Sequence, residues 1–312
     1  MTGWSARSAQ ALGVAILSLL TLSVWPAHAD WRKELGTFRI GMLAEQGGGH
    51  VVTGLAEIKR AYSMALGLPV EVLVAEDYAS LIQAQAAGRL EYAIYSATGY
   101  ATAYQLCACI EPIVAPVAED GATGMRAVLI TRDGKLKSVD DIGAHRVAIV
   151  RKDNISGFAI PGSPLGAAFE KAGSAIQKVD TAAAAETMLV DGSVDAIFGW
   201  VPASAVATAQ FPGSGTLERL HAAGIDPASL SVIWTSDLIR FGPHALRSDL
   251  DAEAKSSLTI FLTTMFSQSP DIYDLVERER GGGFRTATHA EYEPVLEAVK
   301  RIAETEQAPN AQ

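Results

Sequence analysis

The residue types best suited to chemistry lie in the segment 151–162, directly after a predicted strand. Asn154 and Ser156 are favourable helix N-cap residues, and Gly157 lets a bound group approach the backbone closely. The first N–H groups of a helix have no partner within it, and the helix macrodipole adds partial positive charge at that end. We therefore predict an anion site here, in which Ser156 and the N–H groups of the loop, which includes Ile155, hold the anion oxygens.

A second set of polar side chains follows the predicted strand 92–95. Ser96 and Thr98 can cap the helix that begins there, and their hydroxyl groups can donate hydrogen bonds. Tyr95 lies at the carboxyl end of the strand, where open α/β sheets bind ligands. The alternative is that these residues only cap the helix and fill the core. We expect Tyr95 to form a wall of the site and to donate its hydroxyl to the ligand.

Predicted strands alternate with predicted helices along the chain, which indicates an α/β fold with parallel strands. The expected strands are 38–43, 69–74, 92–95, 125–131, 146–150, 195–200 and 231–234. The expected helices are 50–66, 78–87, 98–106, one that follows the anion loop to about 172, 181–189, 202–210, 252–268 and 294–304. Ser138 and Asp141 have the spacing of a helix start.

The first 29 residues have the pattern of a secretory signal peptide. Arg7 is their single charged residue, an apolar run covers 9–22, and the small-x-small pattern 27–29 precedes Asp30. The alternative is an uncleaved membrane anchor, but the run is shorter than the ~20 residues that span a bilayer. We expect cleavage after Ala29 and export of the remaining chain to the periplasm.

The length and charge of the chain limit its function. The 312 residues, less the predicted signal, suit two ordinary domains or one large one, with a disordered tail at 307–312. The 25 Lys and Arg against 35 Asp and Glu give a formal charge of −10, and no basic cluster interrupts this acidic balance. These features argue against a nucleic-acid partner. They leave room for an anionic ligand, because backbone N–H groups can supply local positive charge.

Cysteine and histidine residues give no metal-site pattern. Cys107 and Cys109 are too close for a zinc-finger pair, and no second pair exists. An exported protein can form a disulfide, but one between residues so close would be strained, so we expect two buried thiols. The six histidines show no ligand spacing. We expect neither a metal nor a cofactor.

Motifs of the common enzyme classes are absent from the sequence. Gly47 to Gly49 follow a predicted strand, but a dinucleotide loop would need glycine where Val52 stands. Walker, H-E-x-x-H and G-x-S-x-G motifs are missing, and the carboxylates form no convincing acid–base pair. We therefore expect a binding protein and not an enzyme.

Several blocks, in the same order along the chain, resemble periplasmic phosphonate-binding proteins. The segment 154–157 resembles the family's Ser-Thr-Ser-Gly loop, although Ile155 lacks the hydroxyl that the family has there. The segment 91–100 resembles its strand-to-helix turn, with Tyr95 on the last aromatic position. Further similar blocks are 75–82, 124–130, 191–196 and 232–236 followed by 240–243. The resemblance extends over residues 38 to 300.

This resemblance implies a type II periplasmic binding protein fold, with two α/β lobes and a ligand cleft between them. Each lobe is expected to hold a mixed, mostly parallel sheet flanked by helices. Lobe one would comprise 30–118 and 236–306, and lobe two 119–235. The resemblance also implies a monomeric receptor that captures a phosphonate, a phosphite or a related oxyanion and delivers it to an ABC permease in the inner membrane.

Two departures from the family pattern bear on the ligand. The first loop carries glycines, including Gly48, and His50 in place of the usual aromatic residue, so we include both in the predicted site. Trp200 follows a predicted buried strand and would pack against the organic part of the ligand. A receptor for a sulfonate or an aromatic ligand, or a sensor domain of the same fold, is the alternative.

Overall fold

The computed structural model describes residues 30–45, 51–150, 176–203 and 214–307. The predicted anion loop with Asn154, Ile155, Ser156 and Gly157 lies outside these residues. So do Gly48, His50, the predicted signal 1–29 and the tail after 307. No helix within the described ranges has both the length and the apolar character that a membrane crossing requires.

A first sheet of six strands forms one half of the molecule, in the order β12-β4-β11-β3-β1-β2. Its strands are β1 (Phe38–Leu43), β2 (Val70–Ala75), β3 (Tyr92–Ile94), β4 (Ile110–Ala118), β11 (His244–Arg247) and β12 (Gly281–Thr286). The middle strands are apolar on both faces, which is the pattern of a sheet covered by helices on each side.

Two helical layers cover this sheet. One face packs against α1 (Trp31–Leu35), α2 (Leu55–Leu66), α7 (Ala252–Gln268) and α8 (Pro270–Val276). The other packs against α3 (Tyr78–Ala86), α4 (Ala97–Cys107) and α9 (Glu293–Gln307). At the start of β3, in the middle of the sheet, the buried carboxylate of Glu91 accepts hydrogen bonds from the backbone and side chain of Arg39, and Arg247 lies 3.7 Å from it.

A second sheet of six strands forms the other half, in the order β10-β5-β8-β6-β7, with β9 also paired to β5. Its strands are β5 (Gly124–Arg132), β6 (Val147–Val150), β7 (Ile176–Val179), β8 (Ala196–Pro202), β9 (Leu230–Thr235) and β10 (Ile239–Arg240). The helices α5 (Ala182–Val190) and α6 (Thr216–Ala222) cover one face. A 3₁₀ turn, Val139–Ala144, contributes to the core on the other, and its predicted Ser138–Asp141 capping box is confirmed.

Both sheets are mixed, as predicted, and most strands of each sheet run in the same direction, although antiparallel pairs outnumber parallel ones among the described residues. Parallel pairs join β1 to β2 and β3, and β6 to β7 and β8. The other six pairs are antiparallel, and all of them involve β4, β5 or β11. The antiparallel pairs arise because strands that enter or leave a crossing between the sheets run in the opposite direction to their neighbours.

The described chain passes between the two sheets twice. The first crossing joins β4 to β5, and the second joins β10 to β11. The first sheet thus takes its strands from 38–118 and 244–286, and the second from 124–240. The predicted lobe boundaries at 118 and 236 remain predictions. The strand β10, which belongs to the second sheet, lies just after residue 236.

The two cysteines form a disulfide, so the expectation of free thiols is wrong. Cys107 ends α4 and Cys109 precedes β4, and both side chains are half-buried. Ala108 between them adopts a left-handed conformation, with φ of 48°. This turn brings the two Cα atoms to 5.0 Å, within the range that a disulfide joins.

Candidate functional site

A cavity of about 430 Å³ opens between the two sheets, beside both crossings. Its wall includes the N-terminus of α4, the second crossing from Ile239 to His244, and the segment 275–280 after α8. Met125 of β5 borders it from the second sheet. The volume falls within the roughly 300–1,000 Å³ typical of small-molecule sites.

The N-terminus of α4 presents polar groups to this cavity. The Ser96 hydroxyl accepts a hydrogen bond from the Gly99 N–H at 3.0 Å, and it lies 3.1 Å from the hydroxyl of Thr98. The backbone N–H of Ser96 donates to the Tyr78 hydroxyl at 3.0 Å. Ser96 is therefore the N-cap, as predicted, and Ala97 and Thr98, which begin the helix, line the cavity at the positive end of the helix dipole.

Tyr95 lines the cavity, but its hydroxyl has a different partner from the predicted one. It donates a 2.7 Å hydrogen bond to Oε1 of Gln85, which is itself buried. The Tyr95 ring stacks on Tyr78 with 6.4 Å between the ring centroids. Burial raises the pKa of Tyr95 far above its ordinary value, so the side chain stays neutral. Tyr95 acts as an apolar wall with an internally satisfied hydroxyl.

Three arginines border the cavity, and each is already partnered. Arg240 donates to the Thr123 hydroxyl and lies 3.3 Å from Glu291. Arg278 pairs with Glu45 at 2.8 Å. Arg280 pairs with Glu279 at 3.2 Å and stacks over the Phe241 ring at 4.2 Å. Cations and carboxylates therefore alternate around the opening, and they leave no large excess of either charge.

Glu277 is a half-buried carboxylate on the same wall. Burial raises its pKa above the ordinary glutamate value, although the N–H of Glu279, which donates to it at 3.0 Å, opposes the rise. The raised pKa makes this acid easier to protonate than a glutamate in water.

Trp200 lies near the end of β8 in an adjoining cavity of about 500 Å³. Phe241, Glu279 and Arg280 border both cavities, so the two form one cleft. The guanidinium of Arg219 stands 5.7 Å from the centroid of the Trp200 ring, and the backbone N–H of Trp200 donates to Thr216. The structure thus brings Trp200 into the same cleft as Tyr95, Ser96 and Thr98.

Several cleft residues were missed by reasoning from the sequence. Tyr78, Arg240, His244, Glu277 and Arg280 all line the cavity. Tyr78 and Arg240 lie within blocks that resemble the phosphonate-binding family, which was the available signal. His244, Glu277 and Arg280 lie in no such block, so no local signal marked them. Within the described ranges, no group of His, Cys, Asp and Glu has the arrangement of a metal site.

Two helix-covered α/β sheets, joined by two crossings with a ligand-sized cleft between them, define a two-lobed solute-binding receptor of the type II periplasmic class. The sequence profile that matches residues 40–292 is that of the periplasmic substrate-binding proteins of phosphonate ABC transporters. The chain belongs to this family. It is therefore a receptor component of an ABC transporter, with a small ligand and a membrane permease as partners, and not an enzyme.

One relative is similar in sequence, and two solved structures share the fold. The chain is 24% identical over 245 residues to a phosphate-import protein, PhnD, of Mycolicibacterium smegmatis. This alignment covers 73% of this chain and 74% of the relative. XAC2383 of Xanthomonas citri, solved with chloride, aligns with a TM-score of 0.59 at 10% identity, over 86% of this chain and 99% of that one. PhnD1 of Prochlorococcus marinus, solved with methylphosphonate, aligns with a TM-score of 0.50 at 12% identity, over 86% and 99%.

Proposed function

We propose that this receptor binds a small phosphorus oxyanion, with a phosphonate as the first choice. The observation that carries the proposal is the N-terminus of α4, where Ser96, Ala97 and Thr98 line the cleft at the positive end of the helix dipole. Such a terminus stabilises negative charge without a free cation. The predicted anion loop with Asn154, Ile155, Ser156 and Gly157 would supply donors from the other lobe.

The aromatic wall of the cleft supports an organic substituent on that anion. Tyr78 and Tyr95 line one side and Trp200 the adjoining cavity, and Met42 and Leu275 add apolar surface. A bare tetrahedral ion would leave most of this surface without contact. We therefore place an alkyl- or acyl-phosphonate ahead of phosphate or phosphite, and a sulfonate as the competing ligand class.

The receptor would act in the periplasm after removal of residues 1–29, and would hand its ligand to the permease as a monomer without a nucleic-acid partner. One relative that imports phosphate and a structural neighbour solved with methylphosphonate support an oxyanion of phosphorus. The acidic composition supports the exclusion of nucleic acid.

Calorimetry and thermal shift on residues 30–312 would test the proposal. The panel is phosphate, phosphite, methylphosphonate, larger alkylphosphonates, matched sulfonates and sulfate. A ligand at a hundredfold its Kd should stabilise the fold by roughly 2.7 kcal/mol, which is a shift of a few degrees. Binding of sulfonates in preference to phosphonates, or of no oxyanion at all, would contradict the proposed ligand.

A matched pair of variants tests the anion loop. Ser156→Ala should weaken phosphonate binding by about tenfold or more, since a buried anion oxygen loses its donor. Ser231→Ala, on an exposed position of β9, is the control and should leave the affinity unchanged. Equal affinities in both variants would remove Ser156 from the site.

A further inference from the structure

His244 is a buried polar side chain in the wall of the cleft. An anion bound at the N-terminus of α4 would not need this side chain. His244 begins β11 in the middle of the first sheet, next to Ile94 of β3, and is 1% exposed. Its ring lies edge-on to Phe284, with 4.6 Å between centroids. Among the described residues, its Nε2 atom has no hydrogen-bond partner. A buried nitrogen without a partner is costly, and such cases call for an explanation.

The other ring nitrogen of His244 ends a short chain of buried tyrosines. Nδ1 is hydrogen-bonded to the hydroxyl of Tyr92, and that hydroxyl lies 3.2 Å from the hydroxyl of Tyr62. Both tyrosines are fully buried. Burial raises the pKa of each, so both hydroxyls keep their protons.

The number of hydrogen-bond donors along the series Tyr62–Tyr92–His244 decides the tautomer of His244. If Tyr62 donates to Tyr92 and Tyr92 donates to Nδ1, the proton sits on Nε2 and only that N–H lacks a partner. If Nδ1 instead donates to Tyr92, the Tyr62 hydroxyl proton and the Nε2 lone pair both lack partners within the described structure. The first arrangement leaves one unsatisfied group and the second leaves two, so the first is the more stable.

The imidazole is also neutral, because burial lowers the pKa of His244 to about 3. It therefore offers a single uncharged N–H donor and no ionic attraction. Water does not reach the atom in this arrangement, so an acceptor of similar size can reach it from the cavity only when neighbouring side chains of the wall shift. The surrounding wall is apolar and includes Met42 and Leu275, which can adjust to an incoming substituent.

We propose that the Nε2–H of His244 donates a hydrogen bond to a neutral acceptor oxygen on the organic substituent of the ligand. The contact rests on the proposed function, since it presumes an anionic head held at α4. It narrows the ligand class to organic oxyanions whose substituent carries a carbonyl, ether or hydroxyl oxygen, and it makes His244 a specificity-determining residue. A plain alkyl group of the same shape would leave the Nε2–H unsatisfied and bind more weakly.

A pair of isosteric ligands isolates this single hydrogen bond. 2-Oxopropylphosphonate and 2-methylallylphosphonate differ only in a C=O group against a C=CH₂ group. Calorimetry on the exported chain should give the oxo compound an affinity about tenfold higher, which is the worth of one buried hydrogen bond. The same pair on a sulfonate head, 2-oxopropanesulfonate and 2-methylallylsulfonate, repeats the comparison with a different anion.

Two substitutions of His244 complete the test. His244→Asn retains an amide that can pair with Tyr92 but loses the group at the Nε2 position, so the preference for the oxo ligand should disappear. His244→Gln places an amide N–H near the Nε2 position and should retain part of the preference. Should either variant fail to fold, ¹⁵N spectra of the unsubstituted protein report the tautomer directly, and a proton on Nδ1 would overturn the proposal.

The possible results separate this contact from the proposed function. Binding of both phosphonates with equal affinity, in a chain with an intact His244, overturns the contact and leaves the oxyanion receptor standing. Preference for the oxo compound on the sulfonate head alone supports the contact and overturns phosphorus as the anion. Absence of binding in both series overturns the oxyanion receptor and the contact together.

Discussion

A methyl group placed on Gly242 would lie 1.9 Å from the carbonyl oxygen of Tyr95. The second crossing therefore runs directly against the end of β3 and the start of α4. The backbone N–H of Tyr95 donates to the carbonyl of Pro243 at 3.1 Å, which fixes this approach. The position of the α4 N-terminus, and with it that of Thr98, depends on a glycine in the connection between the lobes.

Gly242→Ala should lower both stability and ligand affinity. The added Cβ must displace the backbone of Tyr95 or Ser96, and overpacking of this kind typically costs about 1–3 kcal/mol. Thermal unfolding and calorimetry on the same preparation measure the two effects. Gly143→Ala is the matched control, because its Cβ meets nothing within 4 Å. A Gly242→Ala protein as stable as the control would contradict the close approach.

Tyr95→Phe should destabilise the fold and leave ligand affinity almost unchanged. The lost hydroxyl leaves Oε1 of the buried Gln85 without its donor, which costs about 1–3 kcal/mol. Urea unfolding and a binding titration distinguish this role from direct contact with the ligand. Tyr104→Phe, on the same side of the sheet, controls for the loss of a tyrosine hydroxyl as such. A large drop in affinity at full stability would show that Tyr95 donates to the ligand after all.

Thr98→Val should weaken binding of the oxyanion by about tenfold at nearly unchanged stability. The substitution keeps the shape of the side chain and removes the hydroxyl that faces the cleft beside Ser96. Thr102→Val, one turn further along α4 and exposed, is the matched control. Equal affinities for the two variants would mean that the helix N–H groups alone hold the anion.

Asp195→Asn should reduce the amount by which the free energy of unfolding falls at acid pH. Burial opposes ionisation of Asp195, but hydrogen bonds from the Arg146 N–H at 3.1 Å and Lys135 at 3.0 Å lower its pKa to about 2. A depressed folded-state pKa contributes stability above the unfolded value of 3.8, which is lost as the pH falls through about 2.

Urea unfolding at several pH values measures this contribution. The variant should be less stable by about 2 kcal/mol at pH 7, and the difference should shrink between roughly pH 4 and pH 2. Asp237→Asn, which removes an exposed carboxylate between β9 and β10, is the control for the loss of a surface charge. A difference that stays constant with pH would indicate lost packing in place of a lost charge.

The Cys107–Cys109 disulfide predicts the alkylation behaviour of the exported protein. Iodoacetamide should add no mass to the unfolded, unreduced chain and should add two groups after reduction, because the chain holds only these two cysteines. Ala108→Gly should stabilise the oxidised form more than the reduced one, since the disulfide holds residue 108 in a left-handed conformation that glycine adopts without a steric cost. Two reactive thiols before reduction would contradict the bond.

The alternation of strands and helices could be predicted from the sequence, because each element has a local pattern. The strands β1, β2, β3, β5, β6 and β8 lie within a few residues of their predicted positions. The strand β4 was missed because Pro112 and Pro116 interrupt it, and proline argues against a strand inside a sheet. The strand β12 was missed because it begins with three glycines, of which Gly282 approaches the carbonyl of Ala118 too closely for any side chain.

The candidate site was predictable only where a local motif marks it. Ser96 and Thr98 follow a strand and begin a helix, so their place at a cleft could be argued from the sequence alone. Arg240 and His244 enter the same cleft because the chain returns to the first sheet more than a hundred residues after leaving it. No local pattern reports such a return. The same limit applies to the hydroxyl of Tyr95, whose partner Gln85 is fixed by the packing of α3 on α4.

The strand order of the first sheet has a consequence for how the chain folds. The strand β11 lies between β3 and β4, although it follows them in sequence by about 130 residues or more. Before β11 is synthesised, no strand links β4 to β3. The β12–β4 pair therefore cannot join the rest of the sheet. Pairings between segments so far apart are slow to form, because the intervening loop must close first. A nascent chain that ends before Arg247 cannot complete this sheet, so the first half of the molecule closes only after every strand of the second sheet has been made.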